Sequence, residues 1–137
     1  MSDYRVVIAG GGMVGVSLAL ALARRAPACE VLLVESFPLP VLAPDFAAGY
    51  SPSFDARSTA LSCASSLIYS EWGLWESIAA NAQPIATIHV SEQGRFGSTL
   101  MRSADYGWPA LGYVVENAWL GNSLLCALQQ TAVATRS

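Results

Sequence analysis

The first hydrophobic positions of the chain form a short β-branched run, followed by a longer helical one. Residues 4–9 are rich in valine and isoleucine and stop at a glycine, which is typical of a buried parallel strand. Residues 12–25 are apolar on nearly every side and rich in alanine, as in a helix packed against a sheet. Residues 30–35 are again apolar between two glutamates. This order predicts a βαβ unit with a right-handed crossover.

The hydrophobic pattern is less regular after residue 36. Residues 37–53 hold four of the seven prolines and predict a loop. Three more helices are predicted, at residues 55–70, 74–80 and 118–133. Strands are predicted at residues 85–91, 98–102 and 113–115. The first two would form an antiparallel hairpin around a Gly-Arg-Phe-Gly turn, and Ser53 or Asp55 would cap the first of the helices.

A glycine-rich turn connects the first strand to the first helix. Its sequence, Gly-Gly-Gly-Met-Val-Gly, matches the pattern G-x-G-x-x-G between a strand and a helix. Gly10 permits the tight turn, Gly12 lets a pyrophosphate approach the backbone, and Gly15 lets the helix lie close to the strand. The first-turn amides, including those of Met13 and Val14, would donate hydrogen bonds to the phosphates. The turn therefore predicts a dinucleotide site.

An acidic residue stands at the end of the second predicted strand. Glu35 lies about twenty residues after the last glycine, where a carboxylate accepts hydrogen bonds from the adenosine ribose. Ser36 beside it is included in the predicted site, and no arginine follows closely to favour a 2′-phosphate. At this point NAD, FAD and a turn that binds nothing all remain open. The long loop and helix after the second strand favour FAD.

Composition narrows the class of protein. Hydrophobic residues make up 53% of the 137 positions and charged residues only 12%, against about 25% charged in a typical soluble domain. This balance is expected of a piece of a larger protein. The net charge is −3 and all seven basic residues are scattered arginines, which excludes a nucleic-acid surface. The three cysteines are far apart, so we expect no disulfide framework, no metal site and a reducing cytoplasm.

Residues 6–23 carry no charge and are long enough for a membrane span or a signal-peptide core. Three consecutive glycines interrupt the run, and the basic pair Arg24-Arg25 follows it rather than preceding it. We therefore favour a soluble helix for this segment.

Three blocks of sequence resemble a known family. Residues 54–62, Phe-Asp-Ala-Arg-Ser-Thr-Ala-Leu-Ser, and residues 112–117, Gly-Tyr-Val-Val-Glu-Asn, join the glycine turn in this resemblance. Together they resemble the ubiquinone-biosynthesis hydroxylases of the class A flavin monooxygenases. Residues 72–75 and 88–94 are similar to the branch that acts on 2-polyprenyl-6-methoxyphenol. The resemblance runs over nearly the whole chain.

The resemblance implies the fold class and its division into domains. It implies an α/β fold, with an incomplete Rossmann-like FAD-binding domain at residues 1–83 and 112–137 and the first hairpin of a substrate-domain sheet at residues 84–111. Arg57 would lie near the FAD phosphates and Asn117 near the flavin. Two alternatives stay open, a surface role for Arg57 in the first turn of a helix and an N-cap role for Asn117.

The resemblance also implies a function. FAD, reduced by NAD(P)H, would hydroxylate the ring of a prenylated phenol with oxygen in ubiquinone biosynthesis. The chain would be a leading fragment, inactive alone, in the cytoplasm and peripheral to the inner membrane, with other ubiquinone-biosynthesis enzymes as further partners. Two other hypotheses remain, an NAD-dependent dehydrogenase domain and a non-catalytic nucleotide-binding fragment. We nominate no catalytic side chain; His89 lies on the polar side of its strand, and the four tryptophans are interpreted as packing residues.

Overall fold

The computed structural model describes residues 5–40 and 56–137, and contacts divide the chain into two compact units. The first unit joins residues 1–57 to residues 116–137, and the second unit is residues 58–115. The domain boundaries expected from the sequence stay a prediction. The elements in chain order are β1 (Val6–Ala9), α1 (Met13–Arg25), β2 (Val31–Val34), β3 (Ser58–Ser62), α2 (Cys63–Glu71), α3 (Trp75–Ala79), β4 (Ala82–Ile85), β5 (Thr87–Ser91), β6 (Ser98–Arg102), β7 (Gly112–Glu116), α4 (Asn117–Gln129) and β8 (Ala134–Arg136).

The first unit contains the βαβ unit that the sequence predicts. β1, β2 and β8 form a parallel sheet in that order, with Val6 opposite Val31 and Leu33 opposite Thr135. Helices α1 and α4 pack against each other. Their buried faces supply the core with fully buried side chains such as Leu20 of α1. Burial of these apolar faces, rather than helix propensity, is what stabilises the two helices.

The second unit contains a three-stranded sheet in the order β3-β7-β4 and a separate hairpin of β5 and β6. The hairpin pairs Thr87 with Arg102 and Ser91 with Ser98, which confirms the predicted antiparallel pair. The core of the second unit is small and includes Ile78 and Val115. A mixed α/β fold is therefore confirmed for the described residues.

The helix expected over residues 55–70 is wrong in its first part. Residues 58–62 form strand β3, and α2 begins only at Cys63. Ser62 caps α2, since its Oγ accepts a hydrogen bond of 3.1 Å from the Ser65 amide. The predicted caps Ser53 and Asp55 lie outside the described residues, as does most of the predicted 37–53 loop. Arg57 consequently precedes strand β3, so the expectation that it lies in the first turn of a helix is wrong.

Two further predictions needed correction. The strand expected over residues 85–91 is two strands, because Ala86 separates β4, which pairs with β7, from β5, which pairs with β6. The carbonyl of Ala86 accepts a hydrogen bond of 2.9 Å from the Ser103 amide, next to the Thr87–Arg102 pair of the hairpin. The last helix ends at Gln129 rather than residue 133, which leaves residues 134–136 to pair with β2.

Within residues 5–40 and 56–137, none of the helices combines the length and hydropathy that a bilayer-spanning segment needs.

Candidate nucleotide-binding site

The glycine turn leaves the carboxyl end of β1 and is tied to β2. Gly10 has a φ of +106°, a conformation that glycine adopts without steric cost. Its amide donates a hydrogen bond of 2.8 Å to the carbonyl of Val34, the last residue of β2. The turn is therefore anchored at the edge of the parallel sheet where the two strands end.

The third glycine of the motif is required by close packing. A β-carbon on Gly15 would lie 1.9 Å from the carbonyl oxygen of Gly10 and 3.4 Å from Ile8. The collision is with backbone, which cannot move aside as a flexible side chain can. Only glycine allows α1 to begin this close to the turn, in agreement with the role that the motif assigns to it.

The amino end of α1 presents backbone donors and no side-chain cap. Gly12 is the N-cap residue and provides no side-chain hydrogen bond, and the first intrahelical bond runs from the Val16 amide to the Gly12 carbonyl at 3.0 Å. The first turn contains no acidic residue. Val14 in that turn is 84% exposed. The helix start thus offers positive potential and amide donors at the protein surface, as anion-binding helix termini do.

Glu35 points at the glycine turn. Its Oε2 accepts a hydrogen bond of 2.6 Å from the Gly11 amide. Its Oε1 accepts hydrogen bonds from the amide and the hydroxyl of Ser36 at 2.7 and 2.8 Å. The carboxylate that the sequence assigns to ribose binding therefore bridges the end of β2 and the turn, with Ser36 holding its second oxygen.

These hydrogen bonds change the acidity of Glu35. Donation from the Gly11 amide, and then from the Ser36 side chain, holds the pKa of the Glu35 carboxyl below its ordinary value of 4.5. Hydrogen bonds to the charged form have this effect because protonation would weaken them. Glu35 is therefore an anion at neutral pH, ready to accept hydroxyl hydrogens.

Gly11 is a site residue that the sequence prediction missed. A β-carbon there would lie 2.9 Å from Leu39 Cδ2 and 3.2 Å from both Cβ and Oε2 of Glu35. A side chain at this position would push the carboxylate away from the turn. The motif G-x-G-x-x-G treats the position as free, so only the run of three glycines hinted at its role.

Arg57 and Asn117 are brought together by a main-chain bond. The Asn117 amide donates to the Arg57 carbonyl at 2.8 Å. Asn117 is the first residue of α4 and is 5% exposed, whereas Arg57 is exposed. The N-cap of α4 is Glu116, so the alternative that Asn117 is itself the cap is wrong.

Topology assigns this pair to the same edge of the first unit as the glycine turn. β8 runs parallel to β1 and β2, so the helix that leads into β8 must return from the carboxyl edge of the sheet to its amino edge. The carboxyl ends of α1 and α4 indeed line one groove of about 350 Å³, with Arg24 from α1 and Ala127 from α4. The two amino ends therefore lie at the opposite edge, where ligands bind in open α/β sheets.

A search of the described residues finds no group of three or more histidine, cysteine, aspartate or glutamate side chains arranged to hold a metal ion.

Sequence comparison finds a ubiquinone hydroxylase and a 3-demethoxyubiquinol 3-hydroxylase among the relatives, although no family model matches the chain. Ubiquinone hydroxylase UbiL of Rhodospirillum rubrum is 35% identical over 130 residues, which cover 95% of this chain and 28% of that protein. The 3-demethoxyubiquinol 3-hydroxylase of Escherichia coli K12 is 34% identical over 125 residues, covering 90% of this chain and 30% of that protein. The chain thus spans less than a third of the length of these relatives.

Structure comparison finds monooxygenases, including a flavin-dependent one. The p-nitrophenol 4-monooxygenase PnpA of Pseudomonas putida DLL-E4 matches 97% of this chain and 31% of its own, with a TM-score of 0.67 and 21% identity. The flavin-dependent monooxygenase PieE, solved with FAD and substrate, matches 95% of this chain and 22% of its own, with a TM-score of 0.63 and 22% identity. The chain therefore has the Rossmann-like α/β fold found in part of these monooxygenases, and its sequence is similar to those of the two hydroxylases over less than a third of their length.

Proposed function

We propose that this chain provides the ADP-binding part of an FAD-dependent monooxygenase that hydroxylates the aromatic ring of a prenylated phenol in ubiquinone biosynthesis. The observation that carries the proposal is the 2.6 Å hydrogen bond between the Gly11 amide and Glu35. It fixes a carboxylate beside an uncapped helix start at the carboxyl edge of a parallel sheet. Sequence similarity to two ubiquinone-biosynthesis hydroxylases supports the reaction class.

Each part of the site suits one part of the cofactor. The backbone of Gly10, Gly12, Met13, Val14 and Gly15 would bind the pyrophosphate, because the turn and the first turn of α1 bring amide donors together there. The carboxylate of Glu35 would accept hydrogen bonds from the ribose hydroxyls. The Ser36 hydroxyl donates a hydrogen bond to the Glu35 carboxylate. With FAD bound, a ribose hydroxyl would either replace this donor or donate to the same carboxylate beside it.

Arg57 and Asn117 are proposed to extend the site toward the rest of FAD. Their main-chain bond ties Arg57 to the first residue of α4. The Arg57 guanidinium would neutralise phosphate charge, and the Asn117 side chain would contact the flavin end. Bound FAD would supply the oxygen chemistry after reduction by NAD(P)H, while the protein orients it and excludes water.

The finer parts of the proposal concern the substrate and its surroundings. We propose that the reactants are a 2-polyprenyl-6-methoxyphenol and oxygen. The proposed location is the cytoplasm, in contact with the inner-membrane surface where such a substrate resides. Other ubiquinone-biosynthesis enzymes are the proposed protein partners. Complete recovery of the enzyme in the soluble fraction without lipid or detergent would count against the membrane contact.

Thermal denaturation of the chain with FAD tests the proposal. FAD at about 100 times its Kd should stabilise the folded state by about 2.7 kcal/mol, which raises Tm by about 10 °C for a chain of this size. Glu35→Gln should reduce this shift, because a neutral amide accepts weaker hydrogen bonds than a carboxylate. Glu30→Gln is the matched control, since Glu30 lies at the opposite end of β2 and is exposed.

The same titration separates the proposal from its rivals. A shift with NAD and none with FAD would favour a dehydrogenase domain instead. Equal shifts in Glu35→Gln and Glu30→Gln would mean that Glu35 does not contact the cofactor. The absence of any shift with saturating FAD would indicate a chain that does not bind this cofactor.

A further inference from the structure

The second unit contains an apolar groove that the nucleotide site does not use. It measures about 730 Å³ and lies between α2, the start of α3 and the segment before β7. We name it the tryptophan groove after Trp75 and Trp108, which line it together with Leu67, Leu111 and Tyr113. The volume is within the range of small-molecule sites, about 300–1,000 Å³.

Aromatic contacts hold the walls of the tryptophan groove in place. Trp75 packs edge-on against Tyr113, with ring centroids 4.6 Å apart. Trp108 packs against Tyr106 at 5.3 Å. Pairs of this kind add to the stability of the surrounding fold and fix ring orientation. The groove is therefore a formed surface, and binding would require little rearrangement of these rings.

The polar groups that line the tryptophan groove are uncharged. Ser66 is buried, and its hydroxyl donates to the Cys63 carbonyl at 2.7 Å. Among the described residues that line the groove, none carries a charge. A phosphate, a carboxylate or a sugar would find no ionic partner there, whereas an aliphatic chain would replace water on apolar surface.

Leu67 and Trp108 show that this apolar surface is open. Leu67 is 65% exposed and Trp108 is 51% exposed. Exposed apolar side chains that cluster in a concave site mark a binding surface more often than scattered ones do.

We propose that the tryptophan groove binds the isoprenoid tail of a prenylated aromatic ligand. This proposal rests on the proposed function, because a prenylated phenol carries such a tail. Flat tryptophan and tyrosine rings with aliphatic neighbours match the methyl-branched, unsaturated chain of an isoprenoid, and the absence of charge among the lining residues rejects charged ligands of similar size.

The test compares two phenols that differ only in the tail. Trp75 and Trp108 are two of the four tryptophans of the 137-residue chain, so tryptophan fluorescence contains a signal from the groove, and the variants described below assign that signal. 2-Geranylphenol should give a saturable fluorescence change and bind at least about 100-fold more tightly than phenol, because each buried CH₂ of the tail adds affinity. Comparable affinities for the two phenols, or no saturation with 2-geranylphenol, would overturn the proposal.

A pair of variants localises the binding. Leu67→Asp places a charge in the groove and should weaken 2-geranylphenol binding by at least about tenfold. Leu100→Asp is the matched control, since Leu100 is an exposed leucine of the same unit (46% exposed) on strand β6, away from the groove lining. Circular dichroism of both variants checks that they fold. Equal losses of affinity in the two folded variants would overturn the assignment to the groove.

Two further outcomes separate the groove from a dimer contact and from the nucleotide site. A chain that dimerises in gel filtration, loses the dimer on Leu67→Asp and fails to bind 2-geranylphenol would show that a second copy covers the groove, which overturns the proposal. Binding of 2-geranylphenol by a wild-type chain that shows no FAD-dependent thermal shift would support the groove and count against the proposed function.

Discussion

The glycine turn and the tryptophan groove differ in what builds them. The turn consists of consecutive residues and one carboxylate from β2's end, and the conformation of the main chain determines which residue fits at its glycine positions. The groove is made from side chains spread over residues 62–113, and packing between distant segments decides its shape. The glycines of the turn resist substitution because a β-carbon would collide with neighbouring atoms at Gly11 and Gly15 or meet a positive φ at Gly10. Matched substitutions in the two units should therefore differ in their effects on stability and on ligand binding.

Substitutions that force a β-carbon into backbone should have the largest effects. Gly15→Ala would place its β-carbon 1.9 Å from the Gly10 carbonyl oxygen, and we expect a loss of about 3 kcal/mol in unfolding free energy from such overpacking. The FAD-dependent thermal shift should be lost as well, because α1 must move away from the turn. Urea denaturation and FAD titration measure the two effects.

Gly112→Ala is the counterpart in the second unit. Its β-carbon would lie 2.4 Å from the Leu61 carbonyl oxygen, between β3 and β7. It should destabilise the chain to a similar degree and also weaken 2-geranylphenol binding. A Gly15→Ala chain that binds FAD with unchanged affinity would contradict the role assigned to the turn.

Substitutions at positive φ should have intermediate effects. Gly10 (φ +106°) and Gly73 (φ +70°) both have open space where a β-carbon would lie, so only backbone conformation opposes a substitution. Gly73→Ala should cost about 1–2 kcal/mol, the usual penalty of a left-handed residue. Gly10→Ala should cost about 2–3 kcal/mol, because its φ lies farther from the left-handed helical region.

Ligand binding separates these two variants. Gly10→Ala should reduce FAD affinity in addition to stability, whereas Gly73→Ala should change stability alone. Chemical denaturation gives the unfolding free energies, and equal FAD affinities in the two variants would show that the turn conformation is not needed for binding.

The elements that the sequence predicts are those whose pattern is local, whereas elements that depend on distant partners are missed. The βαβ opening was predicted because its pattern is local, with an apolar strand, a glycine turn and a helix in sequence. Strand β3 was missed because its Ser-Thr-Ala-Leu-Ser sequence has no strong strand pattern of its own. It becomes a strand by joining β7, a partner about fifty residues away in the chain.

Strand β8 could not be predicted for the same reason, because it depends on a distant partner. Its three residues are too few to signal a strand, and only pairing with β2 makes them one. Glu35 and the motif glycines could be placed from spacing, because a dinucleotide motif encodes main-chain geometry. The groove could not, since its tryptophans become neighbours of α2 only after the second unit has folded.

Acidity should produce the smallest effect, and only in the first unit. The pKa of Glu35 is lowered in the folded chain, so its contribution to stability is fully present above pH 4.5 and is lost as pH falls through the lowered value. The carboxylate is largely solvated, so we expect less than about 1 kcal/mol. FAD affinity should decline over the same acidic range.

Two controls isolate this acid effect. Glu35→Gln should make FAD affinity independent of pH in the acidic range, because the amide does not titrate. Binding of 2-geranylphenol should not follow the same titration, since none of the described residues that line the groove carries a charge. An identical acid decline in wild type and Glu35→Gln would assign it to another group.

The most direct test of the account is an amide NMR titration of the chain with ADP, the part of FAD that the glycine turn is proposed to hold. We expect saturable shifts of the backbone amides of Gly12, Met13, Val14 and Gly15, with a smaller shift at Glu35 and weaker binding in Glu35→Gln. A folded chain whose amides at these positions do not respond to millimolar ADP, or in which only other residues respond, would contradict the central claim.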